Sequence, residues 1–161
     1  MAPQVTVLTT TFRDWDFLLK QREALEAQSL QDFEWVVVDN FAGQRGFVLQ
    51  APFPIKVVQS RGGQPPWKAE ALAKNSGILH ADGELVFLLN DYVLPSPKVL
   101  ERHYSLFKEY GPKVIISGLL QSGDGKTTRR DRKPEFMIGD GVGEVSRERL
   151  NSNQYTEFWA G

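Results

Sequence analysis

Short β-rich runs alternate along the chain with longer stretches of helical period, and most of the runs stop at a polar pair or a turn. Val5 to Thr9 predicts a first strand, followed by a polar loop, Thr10-Thr11-Phe12-Arg13-Asp14. From Asp14 or Asp16, either of which suits an N-cap, apolar residues recur at Trp15, Leu18, Leu19 and Leu25. That spacing predicts a crossover helix to about Gln28. Glu34 to Val38 reads as a second, buried strand closed by Asp39-Asn40, and the Gly- and Pro-containing stretch from Phe41 to Pro54 reads as loop. Ile55 to Gln59 predicts a third strand, and Ser60 to Pro66 a loop. Trp67 to His80 carries Ala71, Leu72, Ile78 and Leu79 on one helical face and ends at Ala81-Asp82-Gly83.

The next run, Glu84 to Leu89, is almost wholly apolar, as expected of a strand buried on both faces of a parallel sheet, and it stops abruptly at Asn90-Asp91. Ser96 as a cap and Pro97 at the first helical position predict a helix lined by Val99, Leu100, Leu106 and Phe107 and stopped by Gly111-Pro112. Lys113 to Leu120 predicts another strand and Val142 to Ser146 a short one. Between them Gln121 to Pro134 reads as a mobile loop whose basic cluster, Arg129, Arg130, Arg132 and Lys133, is a solvated face. Arg147 to Gly161 shows no clean period, and no internal repeat is found. Strand, helix, strand is the βαβ unit. The expected fold is α/β, a mostly parallel central sheet flanked by helices in a single domain over 1–161.

Composition narrows the partners more than the fold. With 161 residues the chain is long enough to bury a core, and a net charge of -1 gives no reason to expect nucleic acid or an anionic membrane. No apolar run is long enough to span a bilayer, and Met1 to Val5 lacks the marks of a signal peptide, so a cytoplasmic location is expected. The absence of cysteine excludes thiolate chemistry. Any metal must then be held by oxygen or by His80 and His103, which read instead as helix-surface or helix-end residues.

Strand ends carry the candidate chemistry. Thr11 to Arg13, Asp39-Asn40 and Asn90-Asp91 all follow predicted parallel strands, whose carboxyl ends lie on one edge of a sheet, where ligands bind in such folds. Asn-Asp also begins turns without any function. Three converging ends, however, make a cleft bearing carboxylates, suited to a hydrogen-bonding ring and a metal-bridged phosphate.

These residues resemble the family 2 glycosyltransferases, which have the Rossmann-like GT-A fold. That family's pattern opens with a strand entering a Pro-Thr-Tyr-Asn-type loop, here Thr10-Thr11-Phe12-Arg13. Its buried strand ending in Asp-Asp-Gly-Ser reads Glu34 to Val38 and then Asp39-Asn40, and its Ala-Arg-Asn-x-Gly segment reads Ala73-Lys74-Asn75-Ser76-Gly77. Ala-x-Gly-Glu appears as Ala81-Asp82-Gly83-Glu84, and Phe-Leu-Asp-x-Asp as Phe87-Leu88-Leu89-Asn90-Asp91-Tyr92. The order and spacing hold from Val5 to Pro97.

The resemblance implies transfer of a sugar from a nucleoside diphosphate sugar, UDP-linked, to a hydroxyl acceptor. It places Thr11, Phe12, Arg13 and Asp39 at the base, Lys74 at the base or a phosphate, and Asn90 and Asp91 at the ribose and diphosphate. Asp91 would hold Mn²⁺ or Mg²⁺. Asn90 and Tyr92 stand where the family has carboxylates, which leaves Asp91 as the metal ligand of this motif. The family continues to an acidic catalytic base beyond a Gly-Gly-Asn-like segment, and this sequence ends about where that segment begins, so the expected unit is a single nucleotide-sugar-binding domain over 1–161, either small or lacking the C-terminal acceptor part. Asp140, Glu144 and Glu157 are the acidic candidates for a base, each of which reads first as a surface residue, and Trp67 and Trp159, which read first as core, could stack on a ligand. The rival readings are a nucleotide-sugar-binding module without complete catalytic machinery and a nucleotidyltransferase. The last would want a Gly-rich basic loop after the first strand, and Thr9 to Asp14 has no glycine.

Overall fold

The computed structural model describes residues 2–12, 15–45, 49–60, 66–112 and 115–116, without the side chains of 45 and 66–69. Its elements run β1 (Val5–Thr11), α1 (Asp16–Glu26), β2 (Phe33–Asp39), α2 (Ala42–Arg45), β3 (Ile55–Gln59), α3 (Pro66–Ile78), β4 (Leu85–Asn90) and α4 (Val99–Tyr110). The four strands form one parallel sheet in the order β3-β2-β1-β4. All seven residues of β2 are buried, as a central parallel strand requires.

Alternation along the strands sends side chains to two cores. On one face Val5, Val7, Phe33, Trp35, Val37, Phe87 and Leu89 meet Leu18 and Leu25 of α1 and Val99 and Leu100 of α4. On the other face Leu8, Val36 and Val38 meet Ala73 of α3. The approach of α3 is close because Gly77 faces the sheet, where an added Cβ would come within 2.1 Å of Leu8 Cδ1.

The amino-terminal edge of the sheet is closed by a buried carboxylate. Glu34 Oε1 accepts from the Thr6 hydroxyl and from the Asp82 N–H, each at 2.7 Å, and Lys56 Nζ lies 2.6 Å from Oε2. The same ammonium pairs with Asp82 at 2.6 Å and donates to the His80 carbonyl at 3.0 Å. Burial alone would raise the Glu34 pKa, but Lys56, the Asp82 N–H and the Thr6 hydroxyl outweigh it, and the carboxyl titrates below its ordinary value. Gly83 completes the corner. Its N–H donates to Thr6 Oγ1 at 2.9 Å, and a Cβ there would lie 2.4 Å from the Thr6 nitrogen. This corner sets the register in which Leu85 pairs with Val5.

Several sequence expectations are corrected by packing. β1 continues through Thr10 and Thr11, which pair with Asn90 and Asp39, so the loop begins two residues later than expected. Asp16 does not cap α1 but is already helical; Trp15 occupies the cap position without a capping bond from its side chain, and Asp14 lies outside the described residues. The expected loop from Phe41 contains α2. The apolar face expected for α3 is not the buried one. Leu72, Ile78 and Leu79 are 42%, 49% and 84% exposed, while Ala73 and Gly77 are buried, because only small residues permit this close approach. Among the described residues β4 is an edge strand with Leu88 39% exposed, rather than a strand covered on both faces. Ser96 and Pro97 form a turn before α4 instead of its first positions; the Ser96 carbonyl accepts from the Val99 N–H, and Lys98 stands at the cap.

His103 is also corrected. It is 5% exposed, edge-on to Phe87 with ring centroids 5.0 Å apart, and burial lowers its pKa despite its bond to the Val99 carbonyl. His80 is exposed just past α3, as expected. Gly111 ends α4 at φ +80°. Of the strand expected over Lys113–Leu120, residues 115–116 are described and belong to no regular element; the remainder, the basic cluster at Arg129 to Lys133 and the strand expected at Val142–Ser146 lie outside the described residues.

Candidate functional site

The carboxyl edge of the sheet brings the three strand ends together. Thr11 pairs with Asp39 and Thr10 with Asn90 in the ladders, and the chain stays paired past β2 because the Asn40 N–H donates to the Thr11 carbonyl at 3.0 Å. The Ser60 N–H donates to the Asp39 carbonyl at 3.1 Å, which adds the end of β3 to the same edge. Gln59 ties the loop after β2 to that strand, donating to the Asn40 carbonyl at 2.7 Å and accepting from the Gly43 N–H at 2.7 Å.

Both candidate carboxylates are buried and oriented. Asp39 is fully buried; its Oδ2 accepts from the Trp15 indole N–H and its Oδ1 from the Phe41 N–H, both at 2.8 Å. The second of these bonds closes an Asx turn that directs the chain away from the sheet. Asp91 is 6% exposed, and its Oδ2 accepts from the Thr11 hydroxyl at 2.9 Å. Asn90 turns its side-chain amide to the Tyr92 hydroxyl at 3.3 Å. Phe12 and Tyr92, 60% and 52% exposed, stand beside these groups at the ends of β1 and β4.

Helix α1 supplies the support beneath. Trp15, just before its first turn, holds Asp39, and Gln21 donates to the carbonyls of Asn90 and Val93. Neither residue figures among the sequence candidates. One signal for Gln21 was available: it falls between Leu18 and Leu25 on the face that α1 buries, where a polar side chain needs partners.

The other sequence candidates are placed as follows. Lys74 lies half-buried on α3, 2.6 Å from Glu70 one turn earlier. Arg13, Asp140, Glu144, Glu157, Trp159 and the side chain of Trp67 lie outside the described residues. No group of three His, Cys, Asp or Glu residues able to hold a metal occurs among the described residues. Among the described residues a hard divalent ion here would have Asp91 as its ligand and could take further oxygens from a phosphate and water, a donor set Mg²⁺ and Mn²⁺ accept. No helix of the described residues is long and apolar enough to cross a membrane.

Comparisons with known proteins bear on the family and the fold. The family model for glycosyl transferase family 2 matches residues 6–159. No curated protein matches the chain. Among solved structures, S. aureus TarS is 16% identical with a TM-score of 0.56, covering 79% of this chain and 23% of TarS. TarS 1-349 in complex with UDP-GlcNAc is 16% identical with a TM-score of 0.56, covering 78% of this chain and 37% of that one. The mannosyltransferase PcManGT from Pyrobaculum calidifontis, in complex with GDP-Man and Mn²⁺, is 18% identical with a TM-score of 0.52, covering 76% and 36%. The chain thus spans well under half the length of these structures, and the likeness is one of fold. With the family model matched over nearly its whole length and the parallel sheet of the GT-A fold in place, the chain belongs to glycosyl transferase family 2.

Proposed function

We propose that the chain binds a nucleoside diphosphate sugar, a UDP-sugar, at the carboxyl edge of its sheet and serves as the donor half of a transferase acting on a hydroxyl acceptor. The observation that carries this reading is the convergence of Asp39 and Asp91 on the end of β1, where Thr11 pairs with one in the ladder and hydrogen-bonds the other. In transfer, the acceptor hydroxyl attacks the anomeric carbon, the bond from that carbon to the diphosphate oxygen breaks, and the diphosphate leaves with the electron pair. Charge therefore develops on the diphosphate, and the site must stabilise it there.

Asp39 accepts the imide N–H of the base, as a carboxylate can. Its full burial sets a condition, since the side chains covering it must give way to admit a ring. The main chain from Thr11 to Phe12, with Arg13, lies along the base. Lys74 offers a point charge to the base or a phosphate. Asn90 meets the ribose, and Asp91 faces the diphosphate as ligand of a divalent ion, which when bound neutralises the leaving group. The cytoplasmic placement expected from the sequence is part of the same reading.

Titration calorimetry with UDP in the presence of Mn²⁺ tests the site. Binding is expected, and Asp39→Ala is expected to weaken it about 10- to 100-fold, the value of a hydrogen bond to a charged group. No binding at millimolar UDP, or binding indifferent to Asp39→Ala, contradicts the assignment. A second reading is a donor-binding module without transfer. Transfer of sugar from a UDP-sugar to a hydroxyl acceptor, with release of UDP, supports the transferase; nucleotide binding with no turnover supports the module.

A further inference from the structure

Gln21 is fully buried on α1. Its side-chain nitrogen donates to the Asn90 carbonyl at 2.6 Å and to the Val93 carbonyl at 2.7 Å, using both of its hydrogens. The two carbonyls bracket Asp91 and Tyr92, and the Val93 N–H closes the same turn on the Asn90 carbonyl at 3.0 Å. The amide is held in this sense from the other side. Thr9 Oγ1 accepts the Trp35 indole N–H at 3.0 Å, so the Thr9 proton is free to face Gln21 Oε1, 3.4 Å away. Turning the amide over would set its oxygen against two carbonyl oxygens.

Resting on the donor site proposed above, we propose that Gln21 is a positioning residue of that site: it fixes the main chain around Asp91, so that the carboxylate held by Thr11 is presented to the diphosphate and its metal. The Trp35, Thr9, Gln21 chain runs from the sheet core to this turn, and every member is buried. Gln28, seven residues later and just past the end of α1, grips the far end of the same connector. It donates to the Ser96 carbonyl at 2.7 Å and accepts from the Leu100 N–H at 3.3 Å. It is as buried and as polar in its bonding, yet stands away from Asp91, and so serves as the internal control.

The test compares Gln21→Met and Gln28→Met in the full chain, by hydrogen exchange over 90–93 and by calorimetry with UDP, with and without Mn²⁺. Gln21→Met is expected to speed exchange in that turn and to cut the Mn²⁺-dependent gain in UDP affinity about tenfold, the usual loss when a metal ligand loses its support. Metal-free UDP affinity should stay within about twofold, and Gln28→Met should leave the gain intact at a comparable loss of Tm. Unchanged exchange at 90–93, an unchanged gain, or an equal loss in Gln28→Met overturns the positioning role. If Gln21→Met fails to fold, Thr9→Val carries the test. It removes the hydroxyl that orients the amide, with the gain expected to fall about threefold; an unchanged gain overturns the proposal. A parent protein that binds UDP with no Mn²⁺ gain overturns the role of Gln21 and leaves the donor reading standing, whereas one that binds no UDP overturns both.

Discussion

The two ends of the sheet both carry buried carboxylates, and they are built differently. At the amino end Glu34 takes donors on both oxygens from three other segments of chain, one of them a lysine. Its charge is balanced there, and the cluster joins β1, β2 and β3 to the corner that starts β4. At the carboxyl end the Trp15 indole N–H and the Phe41 main-chain N–H direct Asp39, and the Thr11 hydroxyl directs Asp91, so that both carboxylates are turned to the end of β1. The first arrangement ties strands to one another; the second gathers the residues of the proposed site.

Changes at the two ends should separate accordingly. The largest effect is expected from Gly83→Ala, because the new Cβ would meet main-chain atoms of Val5 and Thr6 that cannot swing aside. A loss of about 3 kcal/mol or more is expected in urea unfolding. Lys56→Met should cost about 1–2 kcal/mol, reduced from a fully buried pair because Lys56 is 36% exposed, and should leave UDP affinity unchanged. Asp91→Asn should do the opposite. It removes the Mn²⁺-dependent gain in UDP affinity while shifting stability by less than about 1 kcal/mol. A Lys56→Met protein that loses nucleotide binding, or an Asp91→Asn protein that loses its fold, would erase the distinction.

Acid should dissect the amino end and the α4 core more finely. His103 has a folded pKa below its ordinary 6.5, so its contribution is complete above that value and is lost as pH falls through the folded one. Glu34 likewise sits below its ordinary 4.5, so its contribution is complete above 4.5 and is lost at lower pH. Urea midpoints should therefore fall in two stages on acidification. His103→Leu should remove the first and Glu34→Gln the second, with His103→Leu leaving the lower stage in place.

The chain's period and punctuation made the elements legible: Ile55 to Gln59 is a strand as expected, and Gly111 stops α4. Convergence of the three strand ends also followed from parallel order alone. What escaped sequence reading depends on what packs against what. Leu72, Ile78 and Leu79 look like a core face, but the sheet takes Ala73 and Gly77, because helix distance, not hydrophobicity, decides that contact. Thr10 and Thr11 look like loop until their neighbours on both sides extend the ladder. His103 is buried by an edge contact to Phe87 that no local pattern announces. Trp15 and Gln21 read as helix residues, and their part in the site follows from what α1 lies across.

A crystal structure of the protein with UDP and Mn²⁺, recorded with anomalous scattering at the manganese edge, tests the central claim most directly. The account predicts the uracil imide within hydrogen-bonding distance of Asp39 and a manganese peak bound by Asp91 and the diphosphate at the end of β4. A nucleotide bound away from the carboxyl edge of the sheet, or manganese bound without Asp91, would contradict it.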